Sequence, residues 1–229
     1  MMNSKDPSTY ESWYHTPRGR WISDCEFTLI RHLLNARTGD LLLDVGCGTG
    51  HFSRRFARLD LSVTGIDPDP RAIAFAREEG RGVTYLQGNA LSLPFSDDSF
   101  DDSVAITSLC FIDDPVLALQ EIWRMTRGIC VIGMLNKRSL LYREKHTRGS
   151  YRQAHWITSK TLRKEWIPAL SPPPRQFSIR SALFLPRGNV IARWVETWVP
   201  NQLPWGGFLV VRLTKNDETP CGVIQRKYF

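Results

Sequence analysis

Three glycines stand on alternate positions directly after a short apolar run, at Gly46, Gly48 and Gly50. Glycine lets the backbone turn sharply and lets a ligand approach without meeting a side chain. The apolar run, 41–45, is long enough for one buried parallel strand. From His51 onward the apolar residues recur at helical spacing. A strand, a glycine turn and a helix in this order predict a binding site for a nucleoside.

A second polar group follows the next apolar run, 61–66, where Asp67 stands 17 positions after Gly50. A carboxylate at the end of this strand can accept hydrogen bonds from both hydroxyls of a ribose. The alternative is that Asp67 only caps the helix that starts near Pro70. Asp69 is equally placed to cap that helix, which favours ribose binding by Asp67.

Apolar runs of strand length alternate with helical patterns along most of the chain. The predicted strands cover 41–45, 61–66, 83–87, 104–109 and 128–135, and the predicted helices include 24–35, 70–79 and 115–125. Such alternation is typical of an α/β fold with a parallel sheet and helices on both faces. We predict a doubly wound sheet of about seven strands, mostly parallel, with a terminal antiparallel hairpin and a helical cap. The ligand should lie beyond the carboxyl ends of the central strands.

An acidic stretch at 96–102 contains Asp97, Asp98, Asp101 and Asp102. Paired carboxylates can carry out acid–base chemistry or bind a metal ion. No His or Cys accompanies them, however. We therefore interpret the stretch as a solvated turn before a buried strand and predict no metal site.

The chain is interpreted as one domain, 1–229. Its predicted parts are an N-terminal cap segment, a binding core, a basic helical insert and the terminal strands, at 1–37, 38–136, 137–175 and 176–229. Within the insert, residues 137–164 hold nine Lys or Arg and a single acid, Glu144, interleaved with aromatic residues.

Charge, apolar runs and cysteine spacing limit the classes of protein to which this chain can belong. The net charge of +7 permits anionic partners without requiring them. No apolar run approaches the roughly 20 residues of a transmembrane helix, and the N-terminus lacks the apolar stretch of a signal peptide. The five cysteines are scattered singly, without the spacing of a zinc site. We read them as reduced thiols and expect a cytoplasmic protein.

The glycine spacing departs from the dinucleotide fingerprint, because the third glycine comes one residue early. The pattern Asp-x-Gly-x-Gly-x-Gly, beginning at Asp44, resembles motif I of the class I S-adenosylmethionine (SAM)-dependent methyltransferases. The stretches 100–115 and 118–124 resemble the methyltransferase type 11 group, which includes the ubiquinone/menaquinone C-methyltransferases. The resemblance covers about residues 40–136. It implies a Rossmann-like fold, SAM as the cofactor and S-adenosylhomocysteine (SAH) as its product.

The resemblance also implies a set of cofactor-binding residues. These are Asp44, Gly46, Cys47, Gly48, Gly50, Asp67, Pro68, Asn89, Ala90 and Leu109. Asn89 replaces a commoner Asp beside the adenine, although it can still accept and donate hydrogen bonds. The alternative for Asn89 is an Asx-turn at the end of a strand. Arg20, or Arg18, could hold the methionine carboxylate of SAM if the N-terminal segment folds over the ligand.

Methyl transfer needs alignment, exclusion of water and, for some acceptors, a base. Candidate bases are His15, Tyr14 and His155, each of which can equally be an ordinary surface or packing residue. The group's common acidic or His residue after the fourth strand is Cys110 here. Much of the catalysis can therefore come from positioning alone.

Three functions follow from these observations. The first is a SAM-dependent methyltransferase that acts on a small-molecule acceptor. The second is an RNA methyltransferase, because a basic segment with aromatic residues suits RNA. The same segment equally suits an acidic small substrate or a solvated helix face, so nucleic acid is not favoured. The third is a SAM-binding module without catalytic activity.

Overall fold

The computed structural model describes residues 6–215, and Cys221 and the tail 225–229 lie outside this range. Seven strands form one sheet in the order β3-β2-β1-β4-β5-β7-β6. The strands are β1 (Leu41–Val45), β2 (Ser62–Asp67), β3 (Thr84–Gln87), β4 (Phe100–Ile106), β5 (Thr126–Leu135), β6 (Gln176–Ala182) and β7 (Phe208–Thr214). The first five strands are parallel, and β7 runs antiparallel to both β5 and β6. The predicted sheet, with its terminal antiparallel hairpin, is confirmed.

Helices cover both faces of the sheet. They are α1 (Pro7–His15), α2 (Pro17–Leu34), α3 (His51–Ala57), α4 (Pro70–Glu79), α5 (Pro115–Met125), α6 (Leu140–Lys145), α7 (Ser159–Thr161) and α8 (Val190–Trp198). One core cluster lies between the sheet and α5, around Trp123 and Leu119. The other lies between the sheet and helices α2 and α3, around Ile30 and Phe56.

The helix predicted to begin near residue 24 begins at Pro17 instead. Thr16 caps it by accepting a hydrogen bond from the N–H of Gly19 at 3.0 Å, and Pro17 takes the first helical position. Proline suits that position because its missing N–H would have no partner inside the helix. The sequence also allows a cap at Ser23 or Asp24, but both residues lie inside the helix.

The acidic stretch is also corrected, because β4 begins at Phe100 and ends at Ile106 rather than covering 104–109. Asp102 is buried and accepts the N–H of Ile129 on β5 at 2.8 Å. Asp101 accepts the N–H of Leu41 at 2.9 Å. These two carboxylates complete hydrogen bonds with neighbouring strands, so they belong to the sheet, whereas Asp97 and Asp98 lie in an exposed turn as predicted.

The segment after β5 is made of short helical turns. α7 continues as a π-helical turn at Leu162–Trp166 and a 3-10 turn at Ile167–Ala169, and a further 3-10 turn covers Gly149–Gln153. Helix α8, between β6 and β7, was not predicted from the sequence. Its outward face is apolar, with Val190, Trp194 and Trp198 exposing 83%, 63% and 71% of their surface. Within residues 6–215, no helix combines the length and the apolar character needed to cross a membrane.

Candidate cofactor-binding site

The glycine turn lies at the carboxyl edge of the sheet, between β1 and β2. The N–H groups of Gly46 and Cys47 both donate to the carbonyl of Ile66 on β2, at 2.7 and 3.1 Å. Gly46, Gly48 and Gly50 have φ angles of +75°, +55° and +77°. Side chains strain a backbone in this left-handed region, which explains why glycine recurs on alternate positions.

Two of the three glycines are also required by close contacts. A Cβ at Gly46 would lie 2.2 Å from the Cβ of Ser108, and one at Gly50 would lie 2.2 Å from the hydroxyl of Tyr85. A Cβ at Gly48 would have no atom within 4 Å. The turn therefore packs against the protein on two sides and opens into free space at Gly48. A ligand that needs close backbone approach fits that opening.

Alanine substitutions should separate these two roles. Gly46→Ala should destabilise the fold by about 3 kcal/mol, from the clash with Ser108 and the strained φ. Gly48→Ala should cost only about 1 kcal/mol of stability, yet lower the affinity for SAH at least about tenfold because its methyl group enters the open space. Gly39→Ala is the control, since Gly39 has a positive φ and open surroundings. Urea unfolding and calorimetric SAH titration measure both effects. Gly48→Ala binding SAH as the wild type does would contradict this assignment.

Asp67 ends β2 and closes the site from the opposite side of the turn. Its Oδ2 accepts the N–H of Gly48 at 2.9 Å, and its Oδ1 accepts the N–H of Asp69 at 2.9 Å. The predicted cap is confirmed, because Asp69 accepts the N–H of Arg71 at 2.9 Å. Both oxygens of Asp67 thus accept backbone hydrogen bonds, but each keeps a second lone pair for a ligand. Burial raises the pKa of Asp67, and its two backbone hydrogen bonds oppose that rise.

Asp44 lies beneath the turn and not in the opening. Only 3% of its surface is exposed, and the hydroxyl of Ser53 donates to its Oδ2 at 2.5 Å. Burial raises the pKa of Asp44 to about 7, against the opposing effect of the Ser53 hydrogen bond. The bond joins the end of β1 to the first turn of α3 and so fixes the shape of the glycine turn. Cys47, the next predicted residue, is half-buried, and its Sγ lies against Gly65 on β2.

The residues predicted to border the adenine form a local turn. The Oδ1 of Asn89 accepts the N–H of Leu91 at 3.0 Å, which is the Asx-turn considered from the sequence. Asn89 is exposed and Ala90 is buried. Leu109 has no exposed surface and lies in a 3-10 turn after β4, so its side chain belongs to the core. Its neighbour Ser108, which sequence reasoning missed, donates to the carbonyl of Val45 at 2.6 Å and abuts the turn.

Helix α1 is fastened to the glycine turn through Glu11, a residue that sequence reasoning also missed. Its carboxylate accepts hydrogen bonds from the hydroxyl of Thr49 at 2.5 Å and from Nη2 of Arg54 at 2.6 Å. Nδ1 of His51 lies 3.5 Å from the same carboxylate. Burial alone would raise the pKa of Glu11, but its bonds to His51 and Thr49 and the charge of Arg54 hold it below the ordinary value. The spacing of Tyr10, Trp13 and Tyr14 was the available signal for this helix.

The aromatic rings of α1 complete the wall of the site. The ring of Tyr14 stacks on that of His51 at 3.7 Å, and its hydroxyl lies 3.0 Å from the hydroxyl of Tyr10. Nε2 of His51 is buried without a hydrogen-bond partner among residues 6–215. Such an atom is costly unless a ligand or water satisfies it. Burial raises the pKa of Tyr14 well above its ordinary value, so its hydroxyl stays protonated at neutral pH and is a poor base.

The other predicted residues are placed elsewhere. His15 and Arg20 line a separate cleft of about 280 Å³ near Arg193 on α8. Arg18 donates from Nε and Nη2 to the carbonyl of Pro186, at 3.0 and 2.7 Å. His155 lines a cleft of about 400 Å³. Within the described range, none of these four side chains forms a hydrogen bond with the glycine turn. Their roles toward the cofactor or the acceptor stay predictions.

The titratable groups of the described residues do not gather into a metal site. Within residues 6–215, no group of three or more His, Cys, Asp or Glu side chains is placed to hold a metal ion. The four cysteines in that range, Cys25, Cys47, Cys110 and Cys130, are all free thiols. Burial raises the pKa of Cys110 to about 12, which leaves it a neutral core side chain where the type 11 group commonly has a charged one.

Comparison with known proteins agrees with this geometry. Residues 43–132 match the family model of a methyltransferase domain. A malonyl-[acyl-carrier protein] O-methyltransferase of Pectobacterium atrosepticum is 36% identical over 110 residues, 47% of this chain and 44% of that protein. An uncharacterized protein of Mycobacterium tuberculosis is 33% identical over 165 residues, 69% of this chain and 55% of that protein. The chain spans about half the length of the curated relatives it matches.

A solved structure covers more of the chain. A SAM-dependent methyltransferase of Thermotoga maritima, described as a possible histamine N-methyltransferase, superposes with a TM-score of 0.69 at 27% identity. The match covers 91% of this chain and 96% of that one. The finer resemblance to ubiquinone/menaquinone C-methyltransferases stays a prediction. Residues 43–132 match the methyltransferase-domain family, and the fold built around them is similar to that of a SAM-dependent methyltransferase, for which SAM is the cofactor.

Proposed function

We propose that this chain transfers the methyl group of SAM to a small-molecule acceptor and releases SAH. The observation that carries the proposal is the hydrogen bond between the N–H of Gly48 and the carboxylate of Asp67. It brings the open part of the glycine turn and the acid of the next strand to one edge of the sheet. The match of residues 43–132 to the methyltransferase-domain family model supports the same cofactor.

The residues of this edge fit a sulfonium nucleoside. Asp67 would accept hydrogen bonds from the ribose hydroxyls, and Pro68 would hold the chain beside it. The backbone at 46–50 would face the ribose and the methionine chain, since Gly48 opens into free space. Asn89 and Ala90 would border the adenine, whereas Asp44 acts beneath the turn. Bound SAM supplies an electrophilic methyl group, and this chain aligns it and excludes water.

The acceptor would enter from the side of the N-terminal helices and the segment after β5. Two of the matched proteins bear names for an acceptor, malonyl-[acyl-carrier protein] in one and possibly histamine in the other. These names differ in chemistry, so they support methyl transfer without selecting one acceptor. We assign no catalytic base, because Tyr14 stays protonated and His15 and His155 lie in separate clefts.

The basic segment favours a small acceptor over RNA. Lys137, Tyr142, His155 and Trp156 border a cleft of about 400 Å³, which has the size of a small-molecule site. The arginines Arg138, Arg143, Arg148 and Arg152 are exposed, as on an ordinary solvated face. RNA methylation therefore remains an outcome of the experiment below and not a second proposal.

Incubation of a metabolite extract with methyl-labelled SAM, followed by mass spectrometry, tests the function. We expect one labelled small product that is absent when the protein is heat-inactivated. SAH should also raise the melting temperature of the protein. No thermal shift with SAM or SAH at millimolar concentration would refute the proposal. A shift without any labelled product would leave a SAM-binding module, and label found only in RNA would assign a different acceptor.

A further inference from the structure

Helix α8 turns its acidic side chain toward the protein and its apolar side chains outward. The carboxylate of Glu196 accepts the N–H groups of Leu183 and Phe184, at 2.7 and 3.0 Å. Asn189 fixes the start of the helix by accepting the N–H of Ala192 at 2.9 Å. These bonds set the rotation of the helix about its own axis. The outward position of its apolar residues is therefore part of the fold.

The outward residues of α8 form one apolar face. Val190, Trp194 and Trp198 follow one another at intervals of four, so they lie along one side of the helix. The rings of Trp194 and Trp198 are 6.1 Å apart. Ile191 on the helix and Trp205 in the loop after it expose 64% and 56% of their surface. Among the large apolar residues in the range 6–215, these five alone expose more than half of their surface, which marks an interaction surface.

The topology places α8 at the edge of the sheet that carries the cofactor site. The helix connects β6 to β7, and Ala182 at the end of β6 pairs with Phe208 at the start of β7. Phe208 also pairs with Leu135, the last residue of the parallel strand β5. The connection 183–207 therefore leaves and re-enters the sheet at the carboxyl ends of the parallel strands. The glycine turn lies at this same edge, three strands along from β7.

Positive charges border the apolar face of α8. Arg193 is an exposed residue of the helix itself, and Arg187 precedes the helix with 79% of its side chain exposed. Arg20 on α2 is exposed and lines a cleft together with Arg193, so it lies beside α8. Arg187 lies 3.8 Å from Glu144, but an exposed pair of this kind is weak and leaves the arginine available.

The nearby acids do not neutralise this border. Asp24 lines the same cleft as Arg193, but it is paired with Arg55 at 2.9 Å. Glu196 is turned away from the apolar face and bound by two backbone N–H groups. The surface thus combines an apolar centre, rich in tryptophan, with a positively charged rim.

An anionic lipid bilayer matches both properties of this surface. Tryptophan concentrates at the boundary between lipid headgroups and acyl chains, where an amphipathic helix buries its apolar face about 5–10 Å deep. Arginines at the rim of such a helix are attracted by negatively charged headgroups. A second copy of this chain is a poorer match, because a two-fold symmetric interface would bring the same arginines of both copies together.

We propose that α8 docks this chain on an anionic membrane surface. Trp194 and Trp198 would insert among the headgroups, and Arg187 and Arg193 would contact the lipid phosphates. The helix would lie in the plane of the surface without crossing the bilayer. The carboxyl edge of the sheet would then lie close to the membrane. The proposal does not depend on the function proposed above, because these four side chains are not among the residues assigned to the cofactor.

Co-sedimentation of the full chain with sucrose-loaded vesicles tests the docking. The vesicles consist of phosphatidylcholine alone, or of phosphatidylcholine with about 30% phosphatidylglycerol. The wild type should bind the anionic vesicles at least about tenfold more tightly than the neutral ones, and added salt should weaken this binding.

Two double variants separate the apolar and the charged contribution. Trp194→Ser/Trp198→Ser should lower the affinity for anionic vesicles at least about tenfold, because both interfacial anchors are lost. Its matched control is Leu117→Ser/Phe177→Ser, at exposed apolar positions of α5 and β6.

Arg187→Gln/Arg193→Gln should lower the affinity for anionic vesicles about tenfold and reduce its dependence on salt. Its control is Arg37→Gln/Arg58→Gln, which removes the same charge at exposed positions shortly before β1 and β2. Both control proteins should bind vesicles as the wild type does. All four variants should keep the melting temperature of the wild type within a few degrees, since they change exposed side chains.

The opposite results would overturn the docking. These are no binding of the wild type to vesicles, equal binding to neutral and anionic vesicles, or wild-type binding by Trp194→Ser/Trp198→Ser. Equal losses in the control proteins would show that the binding is not specific to α8. A wild type that sediments as a dimer, with a monomeric tryptophan variant, would assign the face to a second copy. Failure of SAH to raise the melting temperature would refute only the proposed function.

Discussion

Asp67→Asn should lower the affinity of the protein for SAH on the order of 100-fold. The carboxylate would accept two ribose hydroxyls, and each hydrogen bond to a charged group contributes about 1.5–3 kcal/mol. An amide retains one acceptor oxygen and presents an N–H₂ group where the second acceptor was. The loss of about 2–3 kcal/mol should appear in calorimetric titration, and the SAH-induced rise in melting temperature should largely disappear.

Asp60→Asn is the matched control for that substitution. Asp60 is exposed and has a φ of +59°, a conformation that Asn tolerates well. Its affinity for SAH should equal that of the wild type. Because Asp67 also accepts two backbone N–H groups, the unfolding free energy of Asp67→Asn must be measured in parallel. Wild-type SAH affinity in a folded Asp67→Asn protein would exclude Asp67 from the cofactor site.

Glu11→Gln should destabilise the attachment of α1 by about 3–5 kcal/mol at pH 7. The side chains of Glu11 and Arg54 expose only 10% and 6% of their surface, so solvent screens their 2.6 Å contact little. Neutralising one partner leaves the other charge buried and unpaired, which is strongly destabilising. Hydrogen exchange of α1 and urea unfolding measure the effect. The double variant Glu11→Gln/Arg54→Met should recover part of the loss, since it removes both charges.

The same ion pair contributes to the acid sensitivity of the protein. The pKa of Glu11 is lowered in the folded state, so its stabilisation is fully present above the ordinary value of 4.5. It is lost as the pH falls through the lowered folded pKa. Glu11→Gln should therefore lose stability less steeply than the wild type between pH 5 and pH 3. The control is Glu79→Gln, at an exposed position, which should lose stability as steeply as the wild type. Identical acid slopes for wild type and Glu11→Gln would contradict this role.

The binding core could be predicted from the sequence because the features that define it depend on residues close together in the chain. The glycine turn, the cap at Asp69 and the cap at Asp114, which accepts the N–H of Leu117 at 3.0 Å, each depend on neighbours a few residues away. Strand and helix alternation then places their carboxyl ends at one edge of the sheet. The same pattern predicts parallel strands, but it does not determine their order in the sheet.

The N-terminal part of the site depends on contacts that no local pattern contains. Glu11 bonds to Thr49 and Arg54, which lie 38 and 43 positions away. Asp102 was misassigned for a similar reason, because an acid inside a strand breaks the apolar pattern and finds its partner Ile129 on another strand, β5. Helix α8 was missed because its apolar face points outward, whereas sequence reasoning assigns such residues to a core.

The exposed aromatic face of α8 affects how the intrinsic tryptophan fluorescence of this protein can be used. Of eight tryptophans, Trp194, Trp198 and Trp205 expose more than half of their surface, whereas Trp123 is fully buried. The exposed indoles should dominate the long-wavelength emission and should be quenched by aqueous iodide. They lie on α8 and the loop before β7, away from the glycine turn. Replacing these three by phenylalanine would leave Trp13, in contact with Tyr14 at 5.1 Å, as a better optical reporter of ligand binding.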